Sequence, residues 1–345
     1  MFKKILITIF VGVLALSLSA DIYAGGGKRN GTSGAEELLL PVSARGIAMG
    51  GAYLSGLKGI DAVFYNPAGL TVSNRSTEAM FSYMNYIADI GYSYAAVGVN
   101  FDSFGSLGLS IRSLDFGDIP VTTTENPYGT GATFSPTYVT VGITYANHLT
   151  DRIRVGFTIN LISQTIQRTS ASGFAFDAGV QYNGVGGVDG LQFGIVVKNL
   201  GPQIKFDGPD LLRQAEEIEG VRGTNYYKID AAYSELPSQL ELGLAYEKLF
   251  ADTYNLIVAA SFQNNNFAND EYHFAAEFGF NDLLFLRGGY SFVSEAMDNE
   301  DEYLFGPTFG AGFHLDGSLA ITVDYAYRWA RYFDANHMVT VKLGF

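Results

Sequence analysis

The sequence predicts an all-β fold, a transmembrane antiparallel β-barrel of about 14 strands. From residue 339 to the C-terminal residue 345, every second residue is apolar, as in a strand with one apolar face: Val339, Val341, Leu343 and Phe345. About fourteen segments between residues 77 and 345 share this alternation, and many approach the roughly 9–11 residues that cross a bilayer as a tilted strand. The third observation is an export signal at residues 1–24. An edge strand of a soluble sandwich would also alternate, but it would explain neither the number of strands nor the export signal.

The composition of the chain suits a barrel better than a helical membrane protein. Of its 345 residues, 14% are Phe, Tyr or Trp, which suits aromatic girdles at two membrane interfaces. Outside the N-terminal signal, no segment approaches the roughly 20 apolar residues of a membrane helix. The formal net charge of −14 argues against nucleic-acid binding. The absence of Cys excludes a disulfide framework, a thiolate metal site and a lipoprotein anchor.

Three regions are predicted along the chain: a signal peptide at residues 1–24, an N-terminal plug segment at residues 25–76 and the barrel at residues 77–345. In the signal peptide, Lys3 and Lys4 precede an apolar stretch, and a small residue allows cleavage after Ala20 or Ala24. The protein is therefore predicted to be exported and inserted into the bacterial outer membrane, in contact with its lipid.

The less apolar faces of the predicted strands carry charged residues, which need the water or the partners that a barrel lumen provides. The charged residues that this alternation turns inward are Glu241, Glu247, Glu271, Glu277, Asp324, Arg328 and Lys342. They indicate a polar and filled lumen. Inward-facing Leu283 and Phe285 near one rim would leave room for a small apolar pocket.

Short connections alternate with long ones along the predicted barrel. The short ones are residues 102–103, 149–151, 281–282 and 316–317, and the long ones are residues 115–133, 201–236, 294–302 and 329–335. Outer-membrane barrels place short turns on the periplasmic side and long loops outside, so the strand number is predicted to be even. Residues 209–219 are predicted to form a short helix, because Pro209 and Asp210 suit a first turn and Gly220 suits a stop.

The end of the last strand resembles the signal by which the barrel-assembly machinery recognises its clients, which is a terminal aromatic residue on an alternating strand. The residues of this predicted signal are Val341, Leu343 and Phe345. The resemblance implies that the barrel-assembly machinery is one partner of the chain.

Residues 42–70 precede the first strand and lack the alternation of the barrel. Gly50 and Gly51 allow a tight backbone path, and Asn66 followed by Pro67 signals a turn in which Asn66 is biased away from helix. Such a segment before a barrel is predicted to be a plug that lies in the lumen. The turn is interpreted as a structural seat on the barrel wall rather than as a ligand contact.

The same segment resembles the N-terminal signature of the PorV/PorQ family, which belongs with the FadL-like long-chain fatty-acid transporter barrels. The resemblance is most specific at residues 61–70, and the matching residues are Arg45, Gly46, Met49, Gly50, Gly51, Ala52, Asp61, Ala62, Asn66, Pro67, Ala68, Gly69 and Leu70. Elsewhere the similarity is one of architecture. The resemblance implies a fourteen-stranded barrel with an N-terminal plug, in a group that contains both lipid transporters and secretion components.

No catalytic constellation is recognisable in the sequence, so the protein is predicted not to be an enzyme and to need no cofactor. The histidines lie on different predicted strands without the spacing of a metal site: His148, His273, His314 and His337. The acidic segment 295–302 matches no established Ca²⁺ loop and is interpreted as a solvated loop.

Three classes of function are compatible with these observations. The polar lumen favours a partner-binding component of protein secretion or cell-surface assembly, of the type IX kind, whose partners would be a secretion-system barrel and secreted cargo proteins. The alternative is a FadL-like transporter of long-chain fatty acids or other hydrophobic small molecules. An open diffusion pore is least compatible with the predicted plug.

Overall fold

The structure is a computed structural model that describes residues 31–71, 75–101, 104–215, 225–251, 253–293 and 304–345. The predicted signal peptide and its cleavage after Ala20 or Ala24 lie outside the described residues, as do the turn at residues 102–103 and the acidic segment 295–302. The predicted division into signal peptide, plug and barrel therefore stays a prediction.

Fourteen strands form one closed antiparallel barrel in which each strand pairs with its neighbours along the chain. The strands are β1 Thr77–Asn85, β2 Gly91–Asn100, β3 Ser106–Asp115, β4 Thr137–His148, β5 Ile153–Ile166, β6 Thr169–Asn183, β7 Leu191–Leu200, β8 Gln239–Phe250, β9 Tyr254–Asn265, β10 Glu271–Phe280, β11 Leu284–Val293, β12 Phe305–Leu315, β13 Ala320–Ala330 and β14 Asn336–Gly344. The predicted fold class and the predicted number of strands are confirmed.

The barrel closes where β1 pairs with β14, the strand that ends the chain. Ser82 lies opposite Thr340 in this register, and their side-chain oxygens form a hydrogen bond of 2.8 Å inside the barrel. Val339 and its alternate neighbours point outward, whereas Met338 is fully buried. The last strand therefore has one outer apolar face, as the alternation predicted.

The outer surface of the barrel is apolar. Large apolar side chains alternate with buried ones on every side, and exposed examples are Phe81, Leu109, Ile143, Phe157, Leu161, Val258, Leu286, Phe309 and Val339. A barrel with such an outer band satisfies its backbone hydrogen bonds internally, as a bilayer requires. Among the helices of the described residues, none is long and apolar enough to span a bilayer.

The two ends of the barrel differ in their connections. At the terminal end, where β1 begins and β14 ends, the described turns are short, as predicted. The opposite end carries the long connections and is called the long-loop end. Some connections at this end depart from the prediction because they are short, and the shortest joins β5 and β6 by Gln167 and Arg168 alone. Gln167 has a φ of 52°, the left-handed conformation that a two-residue hairpin uses.

The helix predicted at residues 209–219 is wrong for residues 209–215, and residues 216–219 lie outside the described residues. A single 3₁₀ turn, Pro209–Leu211, is followed by the strand Leu212–Ala215, which pairs with the strand Asn225–Lys228. The carboxylate of Asp210 accepts hydrogen bonds from Arg168, at the tip of the β5–β6 hairpin, instead of supporting a helix. Pairing with the next strand along the chain thus overrides the local helical pattern.

Residues 31–71, called the N-terminal segment, lie inside the barrel. They contain short helical elements: the 3₁₀ turn Glu36–Leu39, helix α1 Ala44–Ala48, the 3₁₀ turn Gly59–Asp61, helix α2 Ala62–Tyr65 and the 3₁₀ turn Pro67–Thr71. Helix α1 contacts β11 to β14, the turn Gly59–Asp61 contacts β1 and β2, and the turn Pro67–Thr71 contacts β3 to β6. Only a segment within the lumen can touch opposite sides of the wall.

Glycines on the inner wall make room for this segment. A Cβ on Gly194 would lie 2.7 Å from the Cα atom of Ser55, and one on Gly243 would lie 2.7 Å from the Leu54 side chain. Other wall glycines that face the segment are Gly98, Gly108, Gly156, Gly179 and Gly310. Close packing of the N-terminal segment against the wall therefore depends on the absence of side chains there.

Candidate functional site

The Asn66–Pro67–Ala68 turn is seated on the wall in the half of the lumen near the terminal end. Asn66 is fully buried, and its Nδ2 atom donates to the carbonyl oxygen of Val180 at 3.0 Å. Its Oδ1 atom accepts a hydrogen bond of 3.2 Å from the backbone nitrogen of Ala68. The extended backbone of Asn66 is the conformation that a following proline favours. This geometry fits the structural role that the sequence predicted.

Two wall glycines receive the turn. A Cβ on Gly156 would overlap the backbone of Pro67 and Ala68, and a Cβ on Gly179 would overlap the side chain of Asn66. Gly69 is equally constrained, because a Cβ there would overlap the carbonyl oxygen of Leu57. The motif and its seat therefore form a close contact between backbones.

A chain of buried ion pairs joins the N-terminal segment to β10, β11, β13 and β14. Arg45 forms a two-point contact with Glu277, at 2.9 Å from Nε and 2.7 Å from Nη2. Arg287 lies between Glu277 and Asp324, and its Nη1 atom is 2.5 Å from Asp324 Oδ1. Lys342 contacts Asp324 as well, and it also contacts Asp61 of the N-terminal segment, where the chain of ion pairs ends.

The charges in this network balance. Three cations face three carboxylates in the set Arg45, Arg287, Lys342, Asp61, Glu277 and Asp324. Burying these charges is unfavourable, and the mutual attraction offsets it only while every partner is present. The sequence predicted the inward-facing carboxylates and Arg45, Asp61 and Lys342, but it missed Arg287 as the residue that links them.

Gly50 and Gly51 form the turn that follows α1, near the middle of the lumen. Their φ angles of 54° and 78° are left-handed, which explains the choice of glycine. A Cβ on Gly50 would also lie 3.4 Å from the backbone nitrogen of Tyr290 on β11. Both glycines line a cavity at the long-loop end of the barrel.

A cavity of about 780 Å³ lies at the long-loop end, between the N-terminal segment and the loops. Gly46, Ile47, Gly50 and Gly51 line it from below. Its aromatic lining includes Phe64, Tyr65, Tyr86, Phe116, Tyr138 and Phe305. The lining also includes polar and charged side chains, among them Gln164, Glu241, Glu271 and His273. A concave cavity that combines aromatic surface with polar groups that fix orientation is the usual form of a small-molecule site.

Two cations in this cavity are already engaged. Lys198 Nζ lies 2.8 Å from Glu241 Oε1 and 4.3 Å from the centre of the Phe64 ring. The guanidinium carbon of Arg328 lies 3.7 Å from the centre of the Phe305 ring. Two nitrogen atoms of Arg328 also donate to Asn336 Oδ1, at 3.1 and 2.7 Å. The aromatic lining therefore already accommodates positive charge.

Two polar side chains on the cavity lining lack partners. His273 is 7% exposed, and within the described ranges neither ring nitrogen makes a hydrogen bond of ordinary geometry, although the backbone of Gly50 lies beside the ring. Its nearest carboxylate is Glu271, with His273 Nε2 and Glu271 Oε2 separated by 3.7 Å. The hydroxyl of Tyr65 is likewise buried, with Ser43 beside it and no hydrogen bond of ordinary geometry in the described part of the chain. Buried polar groups of this kind are normally satisfied by protein, water or ligand.

Glu37 anchors the upper part of the N-terminal segment. Its two carboxylate oxygens accept hydrogen bonds from Gln164 Nε2 at 2.9 and 2.8 Å. Arg112 Nη1 donates to the carbonyl oxygens of Glu37 at 3.4 Å and Leu38 at 3.3 Å. Burial raises the pKa of Glu37 above its ordinary range. The sequence analysis missed this anchor, because an isolated Glu before a barrel has no local signature.

Strands β11 and β12, beside the cavity, form fewer described backbone pairs with each other than other neighbouring strands of the barrel do. Described pairing between β11 and β12 ends at Gly289 and Thr308, and the register of β12 shifts between Phe305 and Thr308. Pro307, which follows Gly306 in β12, has no N–H group to donate to a neighbouring strand.

The predicted assembly signal lies at the terminal end. Val341 and Leu343 alternate with the inward-facing Thr340 and Lys342, and Phe345 is 56% exposed. The backbone nitrogen of Phe345 donates to the carbonyl oxygen of Thr77 at 2.8 Å, which continues the closure of the barrel to its last residue. Recognition of these residues by the assembly machinery stays a prediction.

The histidines are not brought together by the fold. They lie on β4, β10, β12 and β14 as His148, His273, His314 and His337. Within the described ranges no three His, Asp or Glu side chains form a group that could hold a metal ion.

No family model matches the chain, and no curated protein matches it. Solved structures do match over nearly their full length. The Pseudomonas putida toluene transporter TodX aligns with a TM-score of 0.54 and 13% identity, covering 88% of this chain and 97% of TodX. The Ralstonia pickettii toluene transporter TbuX gives a TM-score of 0.53 and 13% identity, covering 94% of this chain and 100% of TbuX.

A Pseudomonas aeruginosa FadL homologue is similar to the same degree, with a TM-score of 0.53, 10% identity and coverage of 88% of this chain and 97% of that one. At such identities the likeness establishes the fold. The chain therefore has a FadL-like barrel, as the sequence resemblance implied. Its assignment to the PorV/PorQ branch is not confirmed.

Proposed function

We propose that this protein admits hydrophobic small molecules through the outer membrane, and that the cavity at the long-loop end is its first binding site. The observation that carries the proposal is the 780 Å³ cavity, with its aromatic lining, above a lumen filled by the N-terminal segment. Its size falls within the usual range of small-molecule sites, roughly 300–1,000 Å³.

The location in the outer membrane rests on the barrel itself. Its apolar outer surface suits lipid, and barrels of this kind place their long loops outside the cell. The cavity would then face the exterior, and the terminal end would face the periplasm. A hydrophobic molecule would reach the cavity before it met any part of the N-terminal segment.

The N-terminal segment is proposed to act as the plug of this channel. It fills the terminal half of the lumen, where the Asn66–Pro67–Ala68 turn and the ion pairs of Arg45 and Asp61 hold it to the wall. Passage along the lumen requires this segment to move. Arg45, Gly50, Gly51, Asp61 and Asn66–Gly69 are thus proposed as gating residues through structure rather than through ligand contact.

The neighbouring structures favour this proposal over a secretion component. TodX and TbuX are named as toluene transporters, and a further neighbour is a FadL homologue. The polar lumen that favoured secretion in the sequence analysis is instead occupied by ion pairs within the chain. No observation on the described residues points specifically to a secretion partner.

Dye entry into intact bacterial cells tests the proposal. The neutral dye N-phenyl-1-naphthylamine fluoresces once it passes the outer leaflet and reaches the membrane interior. Cells that express the protein should show faster dye entry than cells with the empty vector. Ala268→Trp places a bulky ring on the cavity lining and should slow entry, whereas Ala132→Trp in an exposed loop should not.

Equal entry rates for the wild type, Ala268→Trp and the empty vector would refute uptake. Mild-detergent purification with mass spectrometry distinguishes the secretion alternative. A large co-purifying barrel or a set of secreted proteins sharing a C-terminal domain would favour secretion.

A further inference from the structure

We infer that the cavity at the long-loop end selects hydrophobic molecules that carry a positively charged amine, such as an arylalkylamine. The inference rests on the proposed function, because it names the ligand class of the same cavity. It follows from the balance of charge, from the unpartnered polar groups and from the aromatic lining.

Carboxylates outnumber cations on the cavity lining. Glu36, Glu241 and Glu271 line the cavity beside Glu37, whose burial favours its protonated form, and the cationic side chains among the lining residues are Lys198 and Arg328. A carboxylate ligand would enter a site that is already rich in carboxylates, whereas an ammonium would reduce the repulsion among them.

The two cations are already engaged within the protein. Lys198 is paired with Glu241 across 2.8 Å, and the side chains of both are nearly buried. Arg328 is stacked on Phe305 and bonded to Asn336. A ligand carboxylate would have to replace these contacts to be bound by either cation.

The carboxylate of Glu271 is placed to accept hydrogen bonds from a cationic ligand. Among the described residues, the Asn265 side chain and the His273 ring lie beside its carboxylate, with His273 Nε2 at 3.7 Å, and the charge of Arg328 lies farther away. The Glu271 side chain is 33% exposed, on a strand whose neighbouring residues face the cavity. A carboxylate in this setting is a strong hydrogen-bond acceptor for an ammonium group.

The unpartnered groups can supply further acceptors. Neutral His273 has one acceptor nitrogen, and the Tyr65 hydroxyl oxygen can accept as well. Both are buried on the cavity lining without a hydrogen-bond partner among the described residues. An ammonium has three donors and no acceptor, which matches these oxygens and this nitrogen. A pure hydrocarbon would leave all of them unsatisfied.

The aromatic lining completes the match. Phe64 and Phe305 already receive Lys198 and Arg328 at distances typical of cation–π contacts. Phe116 and Tyr138, whose ring centres are 4.9 Å apart, extend the apolar surface on which the body of the ligand would pack. The cavity thus combines aromatic rings with hydrogen-bond acceptors on one lining.

Three probes with one carbon skeleton test this inference on the purified full-length protein in detergent. They are 3-phenylpropylamine, 3-phenylpropanol and 3-phenylpropanoate, measured by isothermal titration calorimetry at pH 7.5. An alkylamine is protonated at that pH, because its pKa is near that of lysine, about 10.4. The expected order of affinity is amine, then alcohol, then carboxylate.

Glu271→Gln should weaken amine binding by about tenfold or more, because a charge-assisted hydrogen bond is lost. The same substitution should leave alcohol binding within about twofold, which also shows that the variant is folded. Glu125→Gln, in an exposed loop, is the matched control and should change neither affinity.

The outcomes separate this inference from the proposed function. Binding of the alcohol or the carboxylate with weaker or no binding of the amine would overturn the amine preference and keep a hydrophobic site. Absence of binding by all three probes would overturn both. Equal loss of amine and alcohol binding in Glu271→Gln would show that the residue shapes the cavity instead of recognising charge.

Discussion

The two halves of the lumen contain the same kinds of residue but use them differently. In the terminal half, wall glycines face the N-terminal segment, and the buried charges are paired within the chain. In the long-loop half, the wall carries aromatic rings, and His273 and Tyr65 have no partner among the residues that the structure describes. The terminal half therefore binds the N-terminal segment of the same chain, and the long-loop half has the features of a site for another molecule.

The comparison shows that a polar lumen is a poor indicator of a water-filled pore. In the sequence, inward-facing Glu277, Asp324 and Lys342 indicate a polar and filled lumen without showing what fills it. In the structure they hold the N-terminal segment in place. Buried charges are stable only when they are paired, so their presence here indicates a contact rather than a channel.

The largest expected effect comes from breaking the ion-pair network in the terminal half. Glu277→Gln removes the carboxylate shared by Arg45 and Arg287 and leaves two buried cations undercompensated. It should lower the free energy of unfolding by about 3–5 kcal/mol. Urea unfolding of the protein in lipid vesicles measures this change.

A double variant sharpens this prediction. Adding Arg45→Met to Glu277→Gln removes one of the uncompensated cations and should restore part of the stability. Purely additive losses would show that the two residues do not interact as the structure describes. Glu125→Gln serves again as an exposed control.

A smaller effect is expected from filling the seat of the Asn66–Pro67–Ala68 turn. Gly156→Ala places a Cβ on the backbone of Pro67 and should destabilise the barrel by about 1–3 kcal/mol. Gly288→Ala is the matched control, because its nearest neighbour would lie 3.9 Å away. Similar midpoints of thermal unfolding for both variants would contradict the close contact.

Asn66→Ala tests the same contact by a change in the turn instead of in the wall. It removes the donor to Val180 and the acceptor for Ala68, and it should cost about 1–3 kcal/mol of stability. Heat resistance of the folded band in gel electrophoresis should fall before binding of 3-phenylpropanol changes. A variant with normal heat resistance but no binding would show that Asn66 contacts the ligand.

The smallest effect concerns pH and Glu37. The folded-state pKa of Glu37 lies above its ordinary value of 4.5, because burial disfavours the charged form. The folded chain therefore holds this proton more tightly than the unfolded chain does. The contribution of Glu37 to stability is complete below about pH 4.5 and is lost as the pH rises through the raised pKa.

Glu37→Gln abolishes this titration. The stability of the wild type should fall relative to that of Glu37→Gln as the pH is raised from about 4 to about 8. Unfolding midpoints of the two proteins across this range measure the difference. A constant difference, or one of opposite sign, would contradict the raised pKa.

The sequence predicted the barrel well because the signal is local. Alternation along a strand such as β14 requires only neighbouring residues, so the strand count and the inward faces of Glu241, Glu277 and Lys342 follow from it. The turn at Asn66 and Pro67 is equally local, and its burial on the wall agrees with the structural role predicted for it.

What the sequence could not predict depends on distant residues. Arg45 and Glu277 are 232 positions apart, and nothing in either local pattern selects the other. The cavity lining is assembled from loops and strands along the whole chain. The helix predicted at residues 209–219 failed for a more local reason, because Leu212–Ala215 pairs with the next strand, Asn225–Lys228. The sequence analysis consequently ranked secretion above uptake of small molecules.

Locating a bound hydrophobic probe tests the central claim most directly. Crystals soaked with 3-(4-bromophenyl)propan-1-ol would reveal the bromine by its anomalous scattering. The account predicts a peak in the cavity at the long-loop end, against Phe64, Tyr138 and Phe305. Bromine found only on the outer apolar surface of the barrel, or among the residues of the Pro67–Thr71 turn, would contradict it.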